Sequence, residues 1–261
     1  IESLLICLFT PAIKKIGFRK IYSSWVYNEF VDKIKYREGE LQLSIKNRFQ
    51  LLEPIMGDFP KSSEIEIHLT HEEISASREK FDQILGKGKQ AIMVSALGSN
   101  YNKTYPLNYL SQLMDIAFET TKLPLILNYH PDQKKEIDKL MDHLKPTTQK
   151  AVMKSLTPNS LRDYMATVYH CIVAVGNEGG ALNIAKGLNI PTFAIFSPLI
   201  DPSGWHTEIH NRFIAVDLKS FFPNIIDYSD HRKIGKDPKK VIELYLSLIH
   251  ISEPTRQAEI S

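Results

Sequence analysis

The sequence predicts an α/β protein of the doubly wound type, in which helices cover both faces of a parallel sheet. From Gln90 onward, short apolar runs alternate with segments of helical spacing. The apolar runs are continuous rather than alternating, which is typical of strands buried on both faces. The predicted strands span residues 91–97, 123–129, 151–154, 171–176, 190–196 and 212–217.

Helices are predicted between these strands, over residues 106–121, 131–144, 158–167 and 178–188. The third is predicted to start with Thr157 as its N-cap and Pro158 as its first residue. Right-handed crossovers place all the strand-to-helix loops at one edge of the sheet, where open α/β sheets bind ligands. We therefore expect function at four loops, over residues 97–105, 128–132, 155–158 and 176–180.

The composition describes a globular protein. The 261 residues are 43% hydrophobic, and 12 Phe, 11 Tyr and 2 Trp accompany a net charge of only +2, which excludes disorder as the main state. Cys7 and Cys171 lie in apolar surroundings without a secretory signal, so we expect a reducing, cytoplasmic location. The apolar stretch 3–13 is about half the ~20 residues that cross a bilayer, and Pro11 interrupts it.

Charge is unevenly distributed. Residues 1–50 hold nine Lys and Arg against five acids, a net +4, whereas the rest of the chain carries −2. Basic residues between positions 14 and 48 could meet phosphates, an anionic membrane surface or an acidic glycolipid, or form an ordinary solvated face. Four aromatic residues are interleaved with these basic residues: Tyr22, Trp25, Tyr27 and Phe30. Packing within the first domain explains them more simply than lipid or nucleic-acid binding does.

The domain organisation is predicted from changes of pattern. Residues 1–60, with a helix at 3–10, a strand at 15–18 and a helix at 42–52, match the end of a preceding α/β domain. Residues 61–88 form a linker and a helix that starts with the capping-box pair Thr70 and Glu73. Residues 89–249 form a complete domain. Residues 250–261 resemble a translated adapter, and Ile1 falls inside an apolar run, so we expect an internal fragment with a foreign tail.

The most specific segment is VGNEGGALNI, residues 175–184, where a buried strand leads directly into a helix. The first-turn amides and the dipole of such a helix suit a diphosphate, and Gly179 and Gly180 allow close approach of an anion. The Glu178 carboxylate is suited to accept hydrogen bonds from sugar or ribose hydroxyls. Asn177 and Asn183 complete the predicted donor-binding set. The alternative is a turn that only connects strand and helix.

A second segment, GSNYNKTYP at residues 98–106, places Ser99, Asn100 and Lys103 at the same edge. Lys103 could neutralise a phosphate oxygen, although, taken singly, an ordinary surface lysine explains it more simply. Asn128 and the nearby His130 and Asp132 are weaker candidates for base or ribose contacts, because an ordinary exposed loop explains them more simply.

Other patterns exclude several classes of enzyme. The Walker, G-x-S-x-G and G-x-G-x-x-G motifs are absent, which argues against P-loop, hydrolase-elbow and NAD chemistry. His206, Glu208 and His210 follow a P-S-G-W loop that provides no helix to align them, so we predict no metal site.

Taken together, these segments resemble glycosyltransferase family 9, the ADP-heptose:lipopolysaccharide heptosyltransferases. The S-N-Y-N-K-T-Y-P segment, with Lys103, resembles the family's small-residue turn and lysine before W-P. Residues 15–18 (KIGF) and 44–57 resemble its R-I-G-F strand and following helix. The later segments resemble N-D-T-G-x-x-H-x-A-A-A-L and P-x-x-x-L-F-G-P-T-D-P. Their matching positions are Asn177, Glu178, Gly179, Gly180, Asn183, Ala185, Leu188, Pro191, Phe196, Ser197, Pro198, Asp201 and Pro202.

Four positions depart from the family's pattern. Glu178 replaces an aspartate, Gly179 a threonine and Asn183 a histidine, and Leu43 stands where the family often has a histidine. The donor sugar can therefore differ from heptose.

The resemblance implies a GT-B-type arrangement: a C-terminal Rossmann-like domain for the nucleotide sugar and an N-terminal domain for the acceptor. It implies inverting transfer, without a metal or cofactor, from a nucleotide-diphosphate sugar such as ADP-heptose to lipopolysaccharide or another cell-envelope glycan. The family's catalytic aspartate is expected upstream of Ile1, so we expect this fragment to be inactive. We expect a cytoplasmic protein, peripheral on the inner membrane through residues 14–48, and no nucleic-acid partner. A catalytically silent binding module and a GT-B-type sugar epimerase remain alternatives.

Overall fold

The computed structural model describes residues 2–20, 25–34, 42–57, 66–204, 212–222 and 234–249. The chain divides into two compact units. The first is Ile1–Ser63 with Pro202–Thr207, and the second is Glu64–Asp201 with Glu208–Ser261. Tyr22, the three residues of the rejected metal site and the tail 250–261 lie outside the described residues.

The first unit contains a small parallel sheet and short helices. Its elements are α1 (Glu2–Phe9), β1 (Ile16–Phe18), β2 (Glu29–Val31), α2 (Leu43–Gln50) and α3 (Glu53–Met56). Ile16 lies opposite Glu29 and Phe18 opposite Val31. The predicted helix at 3–10, strand at 15–18 and helix at 42–52 are confirmed. β2 was not predicted, because three residues are too few to show a periodicity.

Side-chain contacts fix the pairing of β1 and β2. Asn28 accepts a hydrogen bond from the Lys15 amide at 2.7 Å and donates to the Ile13 carbonyl at 2.6 Å. Gly17 has no room for a side chain, since a Cβ there would lie 2.4 Å from the Tyr27 ring.

Two of the basic side chains in this unit contact acids. Lys14 lies 3.2 Å from Glu29, and Arg19 lies 3.3 Å from Asp32. Both acids are already counted in the net +4, so these two pairs leave the basic excess unchanged.

The second unit is built on a five-stranded parallel sheet in the order β4-β3-β5-β6-β7. The strands are β3 (Ala91–Ser95), β4 (Leu125–Asn128), β5 (Cys171–Asn177), β6 (Thr192–Ile195) and β7 (Phe213–Val216). The helices are α4 (His71–Leu85), α5 (Leu107–Thr121), α6 (Lys134–His143), α7 (Pro146–Ala151), α8 (Leu161–Tyr169), α9 (Gly180–Gly187), α10 (Leu218–Phe221) and α11 (Pro238–Ile249). Short 3-10 turns occur at Tyr101–Lys103, Pro131–Gln133 and Lys154–Leu156.

Helices cover both faces of this sheet, as the continuous apolar strands predicted. Met93 packs on one face with Phe81 of α4 and Leu182 of α9. Val94 packs on the other face with Leu110 of α5. Neighbouring residues of β3 therefore enter opposite cores, which is why its sequence is apolar at every position.

The strand predicted at 151–154 is wrong. Helix α7 begins at Pro146 and extends to Ala151. Only Val152 reaches the sheet, through a single bridge to Leu125, before the next 3-10 turn begins. We expected the loop 155–158 to be a strand-to-helix loop at the ligand-binding edge. Because no strand directly precedes it, this expectation is wrong.

The predicted start of α8 is also wrong. The helix begins at Leu161 with Ser160 as N-cap, and the Ser160 hydroxyl accepts a hydrogen bond from the Asp163 amide at 3.1 Å. The Thr157 and Pro158 pattern was a competing start signal, but the residue three positions after Ser160 completes the cap.

The capping box of α4 is confirmed. The Thr70 hydroxyl accepts from the Glu73 amide at 3.2 Å, and the Glu73 carboxylate accepts from the Thr70 amide at 2.8 Å. α4 packs on α8, where Ser77 donates to the Ala166 carbonyl and Glu73 pairs with Arg162. No described helix is both long enough and apolar enough to span a membrane.

Candidate functional site

The candidate site lies where the strand order of the second unit reverses. From β3 the chain moves to β4 on one side, and later to β5 on the other side of β3. The chain leaves β3 and β5 toward helices on opposite faces of the sheet, and open α/β sheets bind their ligands at such a point. Ser95 and Gly176 are partners in the sheet, so the two predicted segments start side by side.

Asn177 ties these two segments together. Its side chain accepts a hydrogen bond from the Tyr105 amide at 2.6 Å and donates to the carbonyls of Ala96 and Ser95 at 2.8 and 3.2 Å. Asn177 is only 1% exposed. Although it was predicted as a donor-binding residue, its amide is committed to the protein backbone, so it positions the site.

Gly176 allows the two strands to approach closely. Its φ is +123°, and a Cβ would lie 2.3 Å from the Ser95 carbonyl oxygen. Any other residue would be strained in this conformation and would collide with β3.

The loop after β3 is tightly folded. Thr104 donates from its hydroxyl to the Asn100 carbonyl at 2.8 Å and accepts from the Gly98 amide at 3.1 Å. A Cβ on Gly98 would lie 2.1 Å from the Lys103 carbonyl oxygen. The predicted residues Ser99, Asn100 and Lys103 are exposed at the tip of this loop.

Glu178 interacts with two ammonium groups. Burial raises the pKa of its carboxyl, while the charges of Lys103 and Lys186 oppose that rise. Burial likewise lowers the pKa of Lys186, and the Glu178 charge opposes this change. The carboxylate and two cations, from the β3 loop and from the last turn of α9, therefore share one electrostatic environment.

The start of α9 is open. Gly179 is its N-cap and provides no capping side chain. A Cβ on Gly179 or Gly180 would meet no atom within 4 Å. The first-turn amides have no partner within the helix, which is the arrangement that helix-terminal anion sites use. Asn183 is half-buried one turn later, and its backbone N–H donates a hydrogen bond to the Gly179 carbonyl at 3.1 Å.

The weaker candidates lie after β4. Asn128 is half-buried at the end of the strand, whereas the side chains of His130 and Asp132 are 70% and 89% exposed. His130 Nδ1 accepts from the Asp132 amide at 3.3 Å, so the histidine helps to form the turn itself. Gln133, which was not predicted, donates to the Gly98 carbonyl at 2.9 Å and joins this turn to the β3 loop.

In the described ranges, no group of three or more His, Cys, Asp or Glu residues is arranged to hold a metal ion.

Comparison with known proteins identifies the family. A sequence model of glycosyltransferase family 9 (heptosyltransferase) matches residues 1–207. The chain belongs to glycosyltransferase family 9. No curated protein matches the chain.

Solved structures share the GT-B-type fold of this family member. The E. coli ADP-heptose lps heptosyltransferase II superposes with a TM-score of 0.64 at 17% identity, covering 97% of this chain and 74% of that one. The glycosyl transferase family 9 protein from Veillonella parvula DSM 2008 also gives 0.64, at 14% identity, over 92% and 68% of the two chains.

The resemblance to glycosyltransferase family 9 that the sequence motifs indicated is therefore confirmed. Lys186 and Gln133 were missed, because a lysine near a helix end and a glutamine in a turn are common in any surface segment. Only the fold places them beside the family motifs.

Proposed function

We propose that this chain binds a nucleotide-diphosphate sugar at the ends of β3 and β5, as the donor-binding part of an enzyme that transfers the sugar to lipopolysaccharide or another cell-envelope glycan. One observation supports this proposal most directly: Asn177 joins the loop that carries Lys103 to the open start of α9. The chain also belongs to glycosyltransferase family 9. A helix start and an ammonium group both favour the binding of a diphosphate.

Within this proposal, each exposed group has a role. The diphosphate lies against the amides of Gly179 and Gly180, and the Lys103 ammonium neutralises one of its oxygens. Ser99, Asn100 and Asn183 offer hydrogen bonds around it. Glu178 accepts hydrogen bonds from donor hydroxyls, while Lys186 balances its charge.

The proposed reaction is a direct, inverting displacement. The acceptor oxygen bonds to the anomeric carbon as the bond from that carbon to the diphosphate oxygen breaks, and a carboxylate base removes the acceptor's proton. The electron pair leaves with the diphosphate. Lys103 and the α9 amides stabilise the charge that develops there, so this chemistry requires no metal ion.

We further propose that residues 89–249 form the donor-binding domain and that the first unit belongs to the acceptor side. Its basic residues between positions 14 and 48 suit an acidic glycolipid at the cytoplasmic face of the inner membrane.

Calorimetric titration with ADP-, UDP- and GDP-sugars tests donor binding. We expect saturable binding of at least one of the three, and tighter binding of the nucleoside diphosphate than of the nucleoside. Failure of all three donors to bind would reject the proposal.

Product analysis then tests the reaction. The test uses a longer form of the protein that includes the family's catalytic aspartate, because this fragment without it is expected to be inactive. Incubation of that form with the donor that binds, with and without a lipopolysaccharide acceptor, should give the glycosylated acceptor only when both are present. An epimerised sugar formed from donor alone would contradict transfer, and binding without any product would indicate a binding module.

A further inference from the structure

The residue before Lys103 is held by hydroxyl groups from two other elements. The Asn102 carbonyl accepts a hydrogen bond from the Ser197 hydroxyl at 2.6 Å and from the Tyr245 hydroxyl at 3.3 Å. Ser197 follows β6 and is 3% exposed, and Tyr245 lies in α11 and is 1% exposed. Both donors are therefore fixed in the protein interior.

The turn before α11 holds the same loop from another direction. The Gly235 carbonyl accepts from the Asn102 side-chain amide at 2.8 Å and from the Tyr101 hydroxyl at 2.7 Å. Tyr101 and Asn102 are the first two residues of the 3-10 turn that Lys103 completes. The turn is thus held at three points next to Lys103: the Asn102 backbone carbonyl, the Asn102 side chain and the Tyr101 hydroxyl.

Aromatic packing completes this arrangement. The Tyr245 ring meets the Tyr105 ring edge-on, with centroids 5.7 Å apart, just after Lys103 in the loop. Burial raises the pKa of the Tyr245 hydroxyl, so it keeps its proton and remains a hydrogen-bond donor at neutral pH. Tyr245 therefore contacts the loop on both sides of the lysine.

A lysine is a flexible point charge, so its placement depends on the backbone that carries it. We infer that Ser197 and Tyr245 are positioning residues for donor binding: by holding the Asn102 carbonyl, they aim the Lys103 ammonium at the diphosphate. This inference rests on the proposed function. It makes helix α11 a part of the donor site, acting through the β3 loop.

The test is a double-mutant cycle on nucleotide affinity. Ser197→Ala and Tyr245→Phe each remove a hydroxyl and keep most of the packing. Dissociation constants are measured for the diphosphate that binds best among ADP, UDP and GDP, and for its nucleoside. We expect each variant to weaken diphosphate binding about three- to tenfold and to leave nucleoside binding unchanged. In the Lys103→Ala background, neither substitution should weaken binding further.

Controls separate positioning from general support of the fold. Ser77→Ala removes another buried serine hydroxyl, one that donates to the Ala166 carbonyl at 3.0 Å, and should leave diphosphate binding unchanged. Ser197→Thr keeps the hydroxyl and should restore affinity. If Ser197→Ala does not fold, Tyr245→Phe alone decides, because its ring packing is retained.

The outcomes are distinguishable. Equal losses with and without Lys103, or equal losses for diphosphate and nucleoside, would overturn the inference and leave the proposed function intact. If Lys103→Ala itself has no effect, the inference falls because the lysine does not contact the diphosphate, while donor binding stands. If the wild-type chain binds no diphosphate, the proposed function falls as well.

Discussion

Glu178 is the residue at which the charges of the site meet. Its carboxylate lies in the field of Lys103 and Lys186, and burial opposes its ionisation. A diphosphate at the start of α9 would compete with this carboxylate for Lys103. We therefore expect Lys103 to turn to the ligand while Lys186 continues to balance Glu178, which keeps a carboxylate available for donor hydroxyls.

The first prediction concerns Lys103. Replacing Lys103 with alanine should weaken binding of the nucleoside diphosphate by about 1–3 kcal/mol, because a charge-assisted hydrogen bond to phosphate is lost. Calorimetry measures the change. Lys139→Ala, at an exposed lysine of α6, is the matched control and should bind like the wild type. Unchanged affinity in Lys103→Ala would reject its role at the phosphate.

The second prediction concerns pH. Because burial lowers the pKa of Lys186 below 10.5, its ammonium is lost at a lower pH than that of an ordinary lysine. Diphosphate affinity should therefore fall as the pH rises through the alkaline range below 10.5, since a cation near the ligand is removed. Lys186→Arg, whose guanidinium stays charged, should keep its affinity over that range. Parallel profiles for the two proteins, measured by titration at several pH values, would contradict the prediction.

At this scale, the sequence predicted where ligand-binding residues gather better than what each one does. Lys103, Glu178 and the glycine pair stand next to strand ends, so their position at one edge followed from the fold class. Asn177 looked like a ligand because it lies in the same motif. Its bonds to the backbone of residues 95, 96 and 105 depend on contacts distant in sequence, which no local pattern reveals.

Among the elements, prediction succeeded where one signal dominated. The capping box of α4 has a single N-cap with a partner three residues later, and the helix starts there. α8 had two possible starts within four residues, at Thr157 and Ser160, and the pairing with Asp163 favoured the second. Residues 151–154 are apolar enough for a strand, but α7 extends to Ala151 and a 3-10 turn begins at Lys154, so too few residues remain between them to form one.

The third prediction concerns the capping box. Thr70→Ala should lower the free energy of unfolding by about 1 kcal/mol, because the Glu73 amide loses its acceptor at the start of α4. Urea denaturation measures this change. Diphosphate affinity should stay the same, since α4 packs on the helix α8 and contributes no residue to the β3 and β5 loops. An unchanged unfolding midpoint would show that the cap contributes nothing to stability.

The whole molecule consists of two units with different chemical character. The second has cores on both faces of its sheet and carries every residue that we assign to the donor. The first holds the basic excess, although Lys14 and Arg19 are paired with acids. The charge arithmetic revealed this difference from sequence alone, whereas the pairing of β1 with β2 needed the fold, because each strand has only three residues.

The fourth prediction concerns how ligand binding distributes over the two units. A nucleotide at 100 times its dissociation constant stabilises the state that binds it by about 2.7 kcal/mol. Hydrogen exchange should therefore slow in the loop 96–105 and in α9, which share the Asn177 contacts. α2, in the first unit, should exchange at the same rate with and without nucleotide. Equal slowing in α2 would contradict binding confined to the second unit.

Because the space next to Gly180 is open, fold stability and ligand binding favour different residues at this position. Gly180 is the first residue of α9 and no neighbouring atom opposes a side chain, so alanine would stabilise the fold by about 0.4–1 kcal/mol through a less flexible unfolded chain. Directed evolution for heat resistance alone should therefore replace this glycine. Directed evolution for donor use should retain it, because the first added methyl group would occupy the volume of a phosphate. The residue found at position 180 after each experiment would therefore show whether selection acted on folding stability or on ligand binding.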